Sequence, residues 1–244
     1  MKAFYDKVGK INGWDFSQVQ VSTEDVKWDF YEEIKKVCKT SDLLLDIGTG
    51  GGENVLKIAP FLQLLVGIDL SQEMITMAQA NIRKNGAGNT RFFEMSSDHL
   101  QFPNGFFDVI SCRHAPFNAA EVARVLKSDG IFLTQQVSED DKSNLKKAFG
   151  RGQSVGEEDG ALKKRYLIEL KDSGFTEVEC LEYDAIEYYQ RPEDLLFLLT
   201  HTPIIPEFGL DERDYEILSS FIERNQTEKG IQTNSKRFLI IAKK

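Results

Sequence analysis

A glycine-rich stretch at residues 43–53, LLLDIGTGGGE, has the composition of a ligand-binding turn. A short apolar run leads to Asp46, and glycines follow at every second place, at Gly48, Gly50 and Gly52. A side chain at any of these glycines would hinder the close approach of a ligand to the backbone. The stretch therefore predicts a turn that holds a ligand against bare backbone, with a carboxylate at its mouth.

The spacing of these glycines differs from the dinucleotide-binding pattern Gly-x-Gly-x-x-Gly. Gly48 and Gly50 fit that pattern, but Glu53 occupies the place of its third glycine. The carboxylates of Asp46 and Glu53 would repel a pyrophosphate, and they would attract a ligand that carries ammonium and sulfonium groups. We therefore expect a cationic ligand in this turn.

A further carboxylate, Asp69, ends the predicted strand LQLLVGID. It follows Gly48 by about 20 residues, the separation at which dinucleotide-binding folds place the acid that holds the ribose hydroxyls. The alternative is that Asp69 has only a structural role, as an aspartate at the entry to the helix that starts at Ser71. Considered together with the glycine turn, Asp69 predicts ribose binding.

The elements around these residues predict an open α/β sheet, in which ligands bind beyond the carboxyl ends of the strands. Strands alternate with helices from residue 43 to residue 137, which implies crossover connections. The helix after Asp69 has a capping serine, Ser71, at its start and Gly86 just past its end. We predict a doubly wound, mostly parallel, seven-stranded sheet with a helical insertion before its last strand.

The segment before the first of these strands predicts an amphipathic helix over residues 23–38 that lies over the core. Its aromatic residues Trp28, Phe30 and Tyr31 either close over the ligand site or pack in the core. The apolar residues at helical spacing are Val26, Phe30, Ile34 and Val37.

Composition and charge restrict the class of protein. Hydrophobic residues make up 41% and charged residues 28% of the chain, no apolar run approaches the roughly 20 residues that span a bilayer, and the N-terminus shows no export signal. We therefore expect a cytoplasmic protein without membrane contact.

A net charge of -9, from 30 basic and 39 acidic residues, disfavours nucleic acid as a partner. Cys38, Cys112 and Cys180 fit reduced packing residues, and no metal site is expected.

Four motifs in order resemble the class I S-adenosylmethionine-dependent methyltransferases, particularly the branch typified by the ubiquinone and menaquinone biosynthesis methyltransferases. LLLDIGTGGGE resembles the first motif of that family, and VGIDLSQEMITMAQ resembles the second. LQFPNGFFDVI is similar to its Leu-Pro-Phe-x-x-x-x-Phe-Asp segment, and EVARVLKSDGIFL is similar to its Glu-x-x-Arg-Val-Leu-Lys-Pro-Gly-Gly stretch. The resemblance covers residues 40–140 and implies a Rossmann-like fold with S-adenosylmethionine as the cofactor.

The resemblance also implies roles for individual residues. Asp69 would hold the ribose, and Leu70 would pack on the adenine. From its position after the predicted strand FFDVISC, Arg113 either holds the methionine carboxylate or an acidic substrate, or it is a solvated loop charge. The cofactor-binding residues expected in this way are Asp46, Gly48, Thr49, Gly50, Gly52, Asp69, Leu70, Met74, Ser96, Ser97, Asp98, Cys112 and Arg113.

The chain departs from the family where an aspartate often binds the adenine amino group. Ser96 and Ser97 occupy the places of that aspartate and the small residue after it, and Asp98 is displaced by two residues. Either Ser96 with the backbone of Ser97 binds the adenine, or Asp98 does so through a local shift. The stretch from Cys112 to Glu121 is also short for the family, which would shorten the helix over the substrate.

The whole chain, residues 1–244, is expected to form a single domain. The insertion at residues 190–234 either forms a cap over the site or is a helical addition that only buries apolar surface. Its segment DLLFLLTHTPIIPEF predicts a hydrophobic wall of the site or a dimer contact. The predicted parts are an N-terminal helical lid (1–40), a cofactor-binding core (41–138), a flap with a helix and a strand (139–189), the insertion (190–234) and the last strand (235–244).

The expected activity is methyl transfer from S-adenosylmethionine to a small-molecule acceptor, by a monomer or a homodimer. Such transfer is an in-line displacement, so positioning dominates and a base is needed only for a protonated nucleophile. His114, in the loop SCRHAPFN, is the candidate general base, or it only hydrogen-bonds within that loop. The alternatives are an RNA methyltransferase, which the acidic composition disfavours, a nicotinamide-dependent oxidoreductase, which Glu53 disfavours, and a noncatalytic S-adenosylmethionine-binding protein.

Overall fold

The computed structural model describes residues 16–244, so the first 15 residues of the predicted N-terminal lid lie outside the described residues. The strands of this part of the chain are β1 (Val21–Glu24), β2 (Leu43–Ile47), β3 (Leu64–Asp69), β4 (Thr90–Glu94), β5 (Phe107–Arg113), β6 (Leu126–Val137), β7 (Glu177–Tyr189), β8 (Gln226–Thr227) and β9 (Gly230–Lys243). The helices are α1 (Phe30–Val37), α2 (Gln72–Asn85), α3 (Ala119–Val125), α4 (Ser143–Phe149), α5 (Ala161–Asp172), α6 (Pro192–His201) and α7 (Arg213–Asn225), and a 3-10 helix spans Val55–Phe61.

The strands of the described residues form one sheet of nine, in the order β1-β7-β9-β6-β5-β2-β3-β4, with β8 paired to β9. Strands β4, β3, β2, β5 and β6 are parallel, whereas β9 runs antiparallel to both β6 and β7. The predicted doubly wound, mostly parallel α/β sheet is therefore confirmed. The predicted number of strands is wrong, because the short strands β1 and β8 join the seven that the sequence indicates.

Strand β2 is apolar because it lies in the middle of the sheet with both faces covered. Leu44 and Leu45 point to opposite faces and are both fully buried. Leu45 packs in a cluster with Leu170 of α5, and Leu44 packs in a second cluster with Ile34 of α1 and Ile75 of α2. These two layers fix the carboxyl end of β2, from which the glycine turn begins.

Local sequence sets both ends of helix α2 as predicted. The Ser71 hydroxyl accepts a hydrogen bond from the backbone N–H of Met74 at 3.3 Å, which satisfies a free donor of the first turn. At the other end Gly86 takes the left-handed conformation, with φ of +65°. This helix begins directly beyond Asp69, so its cap also fixes the end of β3.

The predicted helix over residues 23–38 is wrong in its first half. Residues Val21–Glu24 form β1, which pairs antiparallel with the end of β7. The helix begins only after Asp29, whose side-chain oxygen accepts hydrogen bonds from the N–H groups of Tyr31 and Glu32 at 2.9 and 3.0 Å. Strand pairing therefore replaces the first turns of the predicted helix, and the capping aspartate sets its real start.

One other predicted boundary also differs from the structure. The segment after the glycine turn forms the 3-10 helix Val55–Phe61, and Pro60 near its end lacks the N–H that a longer helix would need. Strand β9 begins at Gly230 and not at residue 235, because it pairs with β7 from Ile231 onward. The insertion is therefore shorter than predicted.

The insertion between β7 and β9 lies at the carboxyl edge of the parallel strands. Val137, the last residue of β6, pairs with Arg237, whereas β9 begins at Gly230, so β7 and β9 extend beyond β6. Helices α4, α6 and α7 pack around this extension, and none of the described helices is long and apolar enough to cross a membrane. The apolar cluster of this region contains Leu145, Phe149, Tyr189, Leu195, Leu199, Ile205, Leu218, Phe221 and Ile231.

Candidate functional site

The glycine turn after β2 lies at the carboxyl edge of the sheet and is hydrogen-bonded to β3. The N–H groups of Gly48 and Thr49 both donate to the carbonyl oxygen of Ile68, at 2.9 and 3.0 Å. The N–H of Gly50 donates to Oδ2 of Asp69 at 2.9 Å. The turn and the end of β3, which the sequence predicts as two parts of one site, are thus directly joined.

The backbone of the turn requires glycine at three places. The φ angle is +72° at Gly48, +56° at Gly50 and +76° at Gly52, a region that other residues rarely adopt. A Cβ on Gly48 would lie 2.3 Å from Cβ of Ala115, and a Cβ on Gly52 would lie 2.8 Å from the ring of Phe92. Bare backbone therefore also allows the turn to pack against the loop after β5.

Gly48→Ala is expected to lower the free energy of unfolding by about 3 kcal/mol, because left-handed strain adds to the overlap with Ala115. Gly86→Ala is a matched control, since φ is +65° there and a Cβ would meet nothing within 4 Å. This control should lose only about 1 kcal/mol. Urea unfolding of the two variants measures the difference, and equal losses would show that the overlap at Gly48 relaxes without cost.

Asp46 is buried beneath the turn, and it is not exposed at the entrance to the turn as the sequence predicts. It is 3% exposed, and its Oδ1 accepts a hydrogen bond from the Ser111 hydroxyl at 2.6 Å. Burial raises the pKa of Asp46 to about 6, against the opposing effects of Ser111, Thr49 and Arg113. A cation held in the turn would favour the ionised carboxylate, so Asp46 is placed to attract such a ligand.

Asp69 uses both carboxylate oxygens to hold the neighbouring backbone. Oδ2 accepts from Gly50, and Oδ1 accepts from the N–H of Ser71 at 2.9 Å. A carboxylate oxygen can accept more than one hydrogen bond, so Asp69 can keep these contacts and also accept hydrogen bonds from the two hydroxyls of a ribose. The next residue, Leu70, is 51% exposed and offers an apolar surface beside the carboxylate.

Two residues of the predicted cofactor set have buried side chains. Met74 is 1% exposed in the first turn of α2, and Cys112 on β5 is fully buried, with its thiol donating to the carbonyl oxygen of Ala115 at 3.1 Å. Both side chains face the core and present no surface at the carboxyl edge. Only their backbone atoms are placed to contact a ligand there.

Ser96, Ser97 and Asp98 form a tight polar turn after β4. The Ser96 hydroxyl accepts from the N–H of Asp98 at 3.2 Å and donates to its carboxylate at 3.3 Å. The Ser97 hydroxyl donates to the carbonyl oxygen of Pro116 at 3.1 Å, which joins this turn to the loop after β5. Asp98 also lines a crevice of about 420 Å³ between α3 and α5. Both candidate partners for an adenine are therefore held in the same turn.

The Glu-x-x-Arg motif of α3, formed by Glu121 and Arg124, is hydrogen-bonded to the segment that precedes β5. The carboxylate of Glu121 accepts from the N–H of Leu100 at 2.7 Å, and Arg124 donates to the carbonyl oxygens of Leu100 and Phe102 at 2.6 and 2.8 Å. The hydrogen bond from Arg124 lowers the pKa of Glu121 to about 2. Two motifs that are separate in sequence thus form one structural unit that supports the site.

Arg113, the last residue of β5, lies at the same edge of the sheet. Its guanidinium carbon is 5.8 Å from the centroid of the Tyr31 ring, a cation–π arrangement. Its Nε is buried and has no hydrogen-bond partner among the described residues. A buried donor without a partner costs about 1–3 kcal/mol, so this position favours a ligand with an anionic group.

His114 begins the loop after β5 in a left-handed conformation, with φ of +57°. Its N–H donates to the carbonyl oxygen of Gln135 at 2.9 Å, and its Nε2 lies 2.9 Å from Nε2 of Gln135. Oε1 of Gln135 accepts from the indole N–H of Trp28 at 2.8 Å. Burial, with Arg113 and other cations, lowers the pKa of His114 well below its usual 6.5. The general-base role stays a prediction, and both the hydrogen bond and the lowered pKa oppose it.

A buried ionic cluster lies beside His114 and was not predicted from the sequence. Nζ of Lys142 donates to Glu187 at 2.7 Å, and Arg237 pairs with Asp141. None of these four side chains is more than 13% exposed. The four residues come from segments that are distant in sequence. Arg237, a charged residue within the last strand, was the one signal in the sequence that indicated such a cluster.

Comparisons with known proteins show what the part of the chain that carries this site is similar to. A family profile described as "Methyltransferase domain" matches residues 44–130, from β2 into β6. The uncharacterized methyltransferase YcgJ of Bacillus subtilis is 38% identical over 103 residues, which are 39% of this chain and 41% of that protein. Residues 44–130 are thus similar to the methyltransferase domain of S-adenosylmethionine-dependent methyltransferases. The crystal structure of YcgJ shares the fold, with a TM-score of 0.64 at 23% identity over 87% of this chain and 97% of that chain.

The sequence similarity to these known proteins covers less than half of this chain. The ubiquinone/menaquinone biosynthesis C-methyltransferase UbiE of Vibrio parahaemolyticus is 26% identical over 117 residues, which are 43% of this chain and 45% of that protein. The chain thus aligns with less than half the length of YcgJ and UbiE. The family profile, residues 44–130, includes the glycine turn, Asp69 and His114, whereas the insertion lies outside it.

Proposed function

We propose that this protein transfers a methyl group from S-adenosylmethionine to a small-molecule acceptor. The observation that carries the proposal is the joined site of the glycine turn and Asp69, in which the N–H of Gly50 bonds to the carboxylate that ends β3. A nucleoside can approach the bare backbone of this turn, and its ribose can reach the carboxylate. The buried Asp46 favours a cationic ligand over a pyrophosphate.

The residues present fit this cofactor. When bound, S-adenosylmethionine supplies an electrophilic methyl group on its sulfur. Asp69 would accept hydrogen bonds from the ribose hydroxyls, and Leu70 would pack on the adenine. Arg113, whose Nε has no partner among the described residues, would receive the methionine carboxylate. The turn at residues 96–98 would bind the adenine amino group, through Ser96 with the backbone of Ser97 or through Asp98.

The acceptor would enter on the side of β5 and β6, between His114 and the insertion. The apolar cluster of α4, α6 and α7 surrounds the extended ends of β7 and β9, which supports a cap that favours an acceptor with an apolar part. UbiE, which is described as a C-methyltransferase of quinone biosynthesis, provides a precedent for a small-molecule acceptor. A monomeric or homodimeric state stays a prediction.

Calorimetry and a labelled transfer assay test the proposal together. S-adenosylmethionine and S-adenosylhomocysteine are expected to bind the protein, and NADH is not. Incubation with S-adenosylmethionine labelled in its methyl group, with either a metabolite extract or total RNA, should then label a small molecule. Label in RNA would favour the RNA methyltransferase, and binding without transfer would favour the noncatalytic protein. Binding of NADH alone would contradict the proposal.

A further inference from the structure

Gln135 is the centre of a hydrogen-bond chain that fixes the protonation state of His114. The indole N–H of Trp28 can only donate, so its partner at 2.8 Å must be the carbonyl oxygen of the Gln135 side chain. The amide nitrogen of Gln135 then faces Nε2 of His114 at 2.9 Å, and it donates to that atom. Because an accepting ring nitrogen carries no proton, neutral His114 carries its proton on Nδ1.

The surroundings of His114 favour this neutral state. Burial and the cations Arg113, Arg237 and Lys142 all oppose protonation of the ring. Trp28 and Gln135 are 8% and 4% exposed, so water does not compete for their hydrogen bond. The other titratable groups at this edge are Asp141 and Glu187, which pair with Arg237 and Lys142, and Asp46, Tyr31 and Tyr183.

His114 stands next to the glycine turn. The following residue, Ala115, is the one that a Cβ on Gly48 would touch. Within the described part of the chain, the hydrogen bonds of His114 are made by its backbone N–H and by Nε2, and none is made by Nδ1. The left-handed backbone and the bond from its N–H to the Gln135 carbonyl hold the residue in place. The Nδ1–H group therefore belongs to a residue that is held in place next to the expected cofactor site.

We propose that Gln135, oriented by Trp28, is a positioning residue that presents the Nδ1–H of His114 to an oxygen of the methyl acceptor, so that His114 acts as a donor and not as a general base. This inference rests on the proposed methyl transfer and deepens it. It extends the role of Trp28 beyond packing, since the indole sets which end of the Gln135 amide faces His114.

The chemistry of the transfer is compatible with a donor at this place. A lone pair of the acceptor atom forms the new bond to the methyl carbon, the carbon–sulfur bond breaks, and its electron pair stays on sulfur as a neutral thioether. Any proton on the acceptor atom leaves to water, because Nε2 of His114 is already occupied by Gln135. The acceptor class is therefore a molecule with a carbonyl, carboxylate or phenolate oxygen next to, or at, a nucleophilic atom that needs no protein base.

Nitrogen-15 NMR of the histidine-labelled protein tests the protonation state without cofactor or acceptor. At pH 7 we expect a protonated Nδ1 and a bare Nε2 for His114, with the signal assigned by its loss in His114→Asn. Gln135→Glu replaces the amide donor with a carboxylate and should place a proton on Nε2. Gln101→Glu, at an exposed loop position, is the matched control and should leave the His114 signal unchanged. A wild-type proton on Nε2, or no response to Gln135→Glu, would overturn the proposal.

Two variants of equal size separate a donor from a base during transfer. Asparagine and aspartate both tolerate the left-handed backbone of His114, and asparagine offers an N–H donor whereas aspartate offers a base. We expect His114→Asn to keep methyl transfer within about tenfold of the wild type and His114→Asp to lose about 100-fold or more, the scale of a lost catalytic contact. The reverse order would show a general base. Calorimetry with S-adenosylmethionine runs in parallel, so that a failure of cofactor binding, which refutes the proposed function, is distinguished from a failure of this inference.

Discussion

Asp69→Asn is expected to weaken the binding of S-adenosylmethionine by about 100-fold, which corresponds to about 2.7 kcal/mol. The substitution removes the charge that strengthens hydrogen bonds from the ribose hydroxyls. It also disturbs the site itself, because each carboxylate oxygen of Asp69 accepts a backbone N–H, from Gly50 or from Ser71. Either orientation of an asparagine amide would set its NH₂ group against one of these donors, so the turn loses a contact that joins it to β3.

Isothermal titration with S-adenosylmethionine and S-adenosylhomocysteine measures this loss. Asp129→Asn makes the same chemical change at an exposed position near the start of β6, away from the carboxyl edge, and asparagine suits its left-handed φ of +64°. This control should bind both ligands as tightly as the wild type. An affinity of Asp69→Asn within threefold of the wild type would remove Asp69 from the ribose site.

The parallel part of the fold could be predicted because its signals are local. Ser71 and Gly86 fix the ends of α2 through one capping hydrogen bond and one left-handed residue. The boundary between α3 and β6 could not be predicted, because helix-forming residues continue past Val125 while Leu126 pairs with Phe107 of β5. Strand β1 was missed for the same reason, since its partner β7 is distant in sequence. Long-range strand pairing overrides local helical periodicity in both places.

The same distinction applies to the candidate site. The glycines and Asp69 follow buried strands directly, so the sequence alone indicates where they meet. The chain from Trp28 through Gln135 to His114 joins three separate segments, and no spacing rule connects them. One signal was present: the strand GIFLTQQV contains two adjacent glutamines, and a buried glutamine needs partners for both ends of its amide. Its partners become evident only when β5, β6 and the segment before α1 are in place.

Asp141→Asn is expected to lower the free energy of unfolding by about 3–5 kcal/mol, because it leaves buried cations without their carboxylate. Asp141 is 3% exposed, pairs with Arg237 and accepts a hydrogen bond from the N–H of Lys236 at 3.0 Å. Burial alone would raise the pKa of this carboxyl, but Arg237 and Lys142 hold it below its usual value. The carboxylate is therefore ionised in the folded protein, and its removal exposes the full cost of burying Arg237.

Urea unfolding of Asp141→Asn measures this loss, and Asp140→Asn is the matched control. Asp140 is the adjacent residue, it is exposed, and its carboxylate lies 4.0 Å from Nζ of Lys236, so it should change stability by less than about 1 kcal/mol. The paired substitution Asp141→Asn with Arg237→Met removes the orphaned charge and should recover part of the loss, because a neutral side chain of similar length carries no desolvation penalty. A loss below about 1 kcal/mol for Asp141→Asn would mean that water or Glu187 compensates Arg237. The cluster would then be a solvated network and not a buried support for the loop that carries His114.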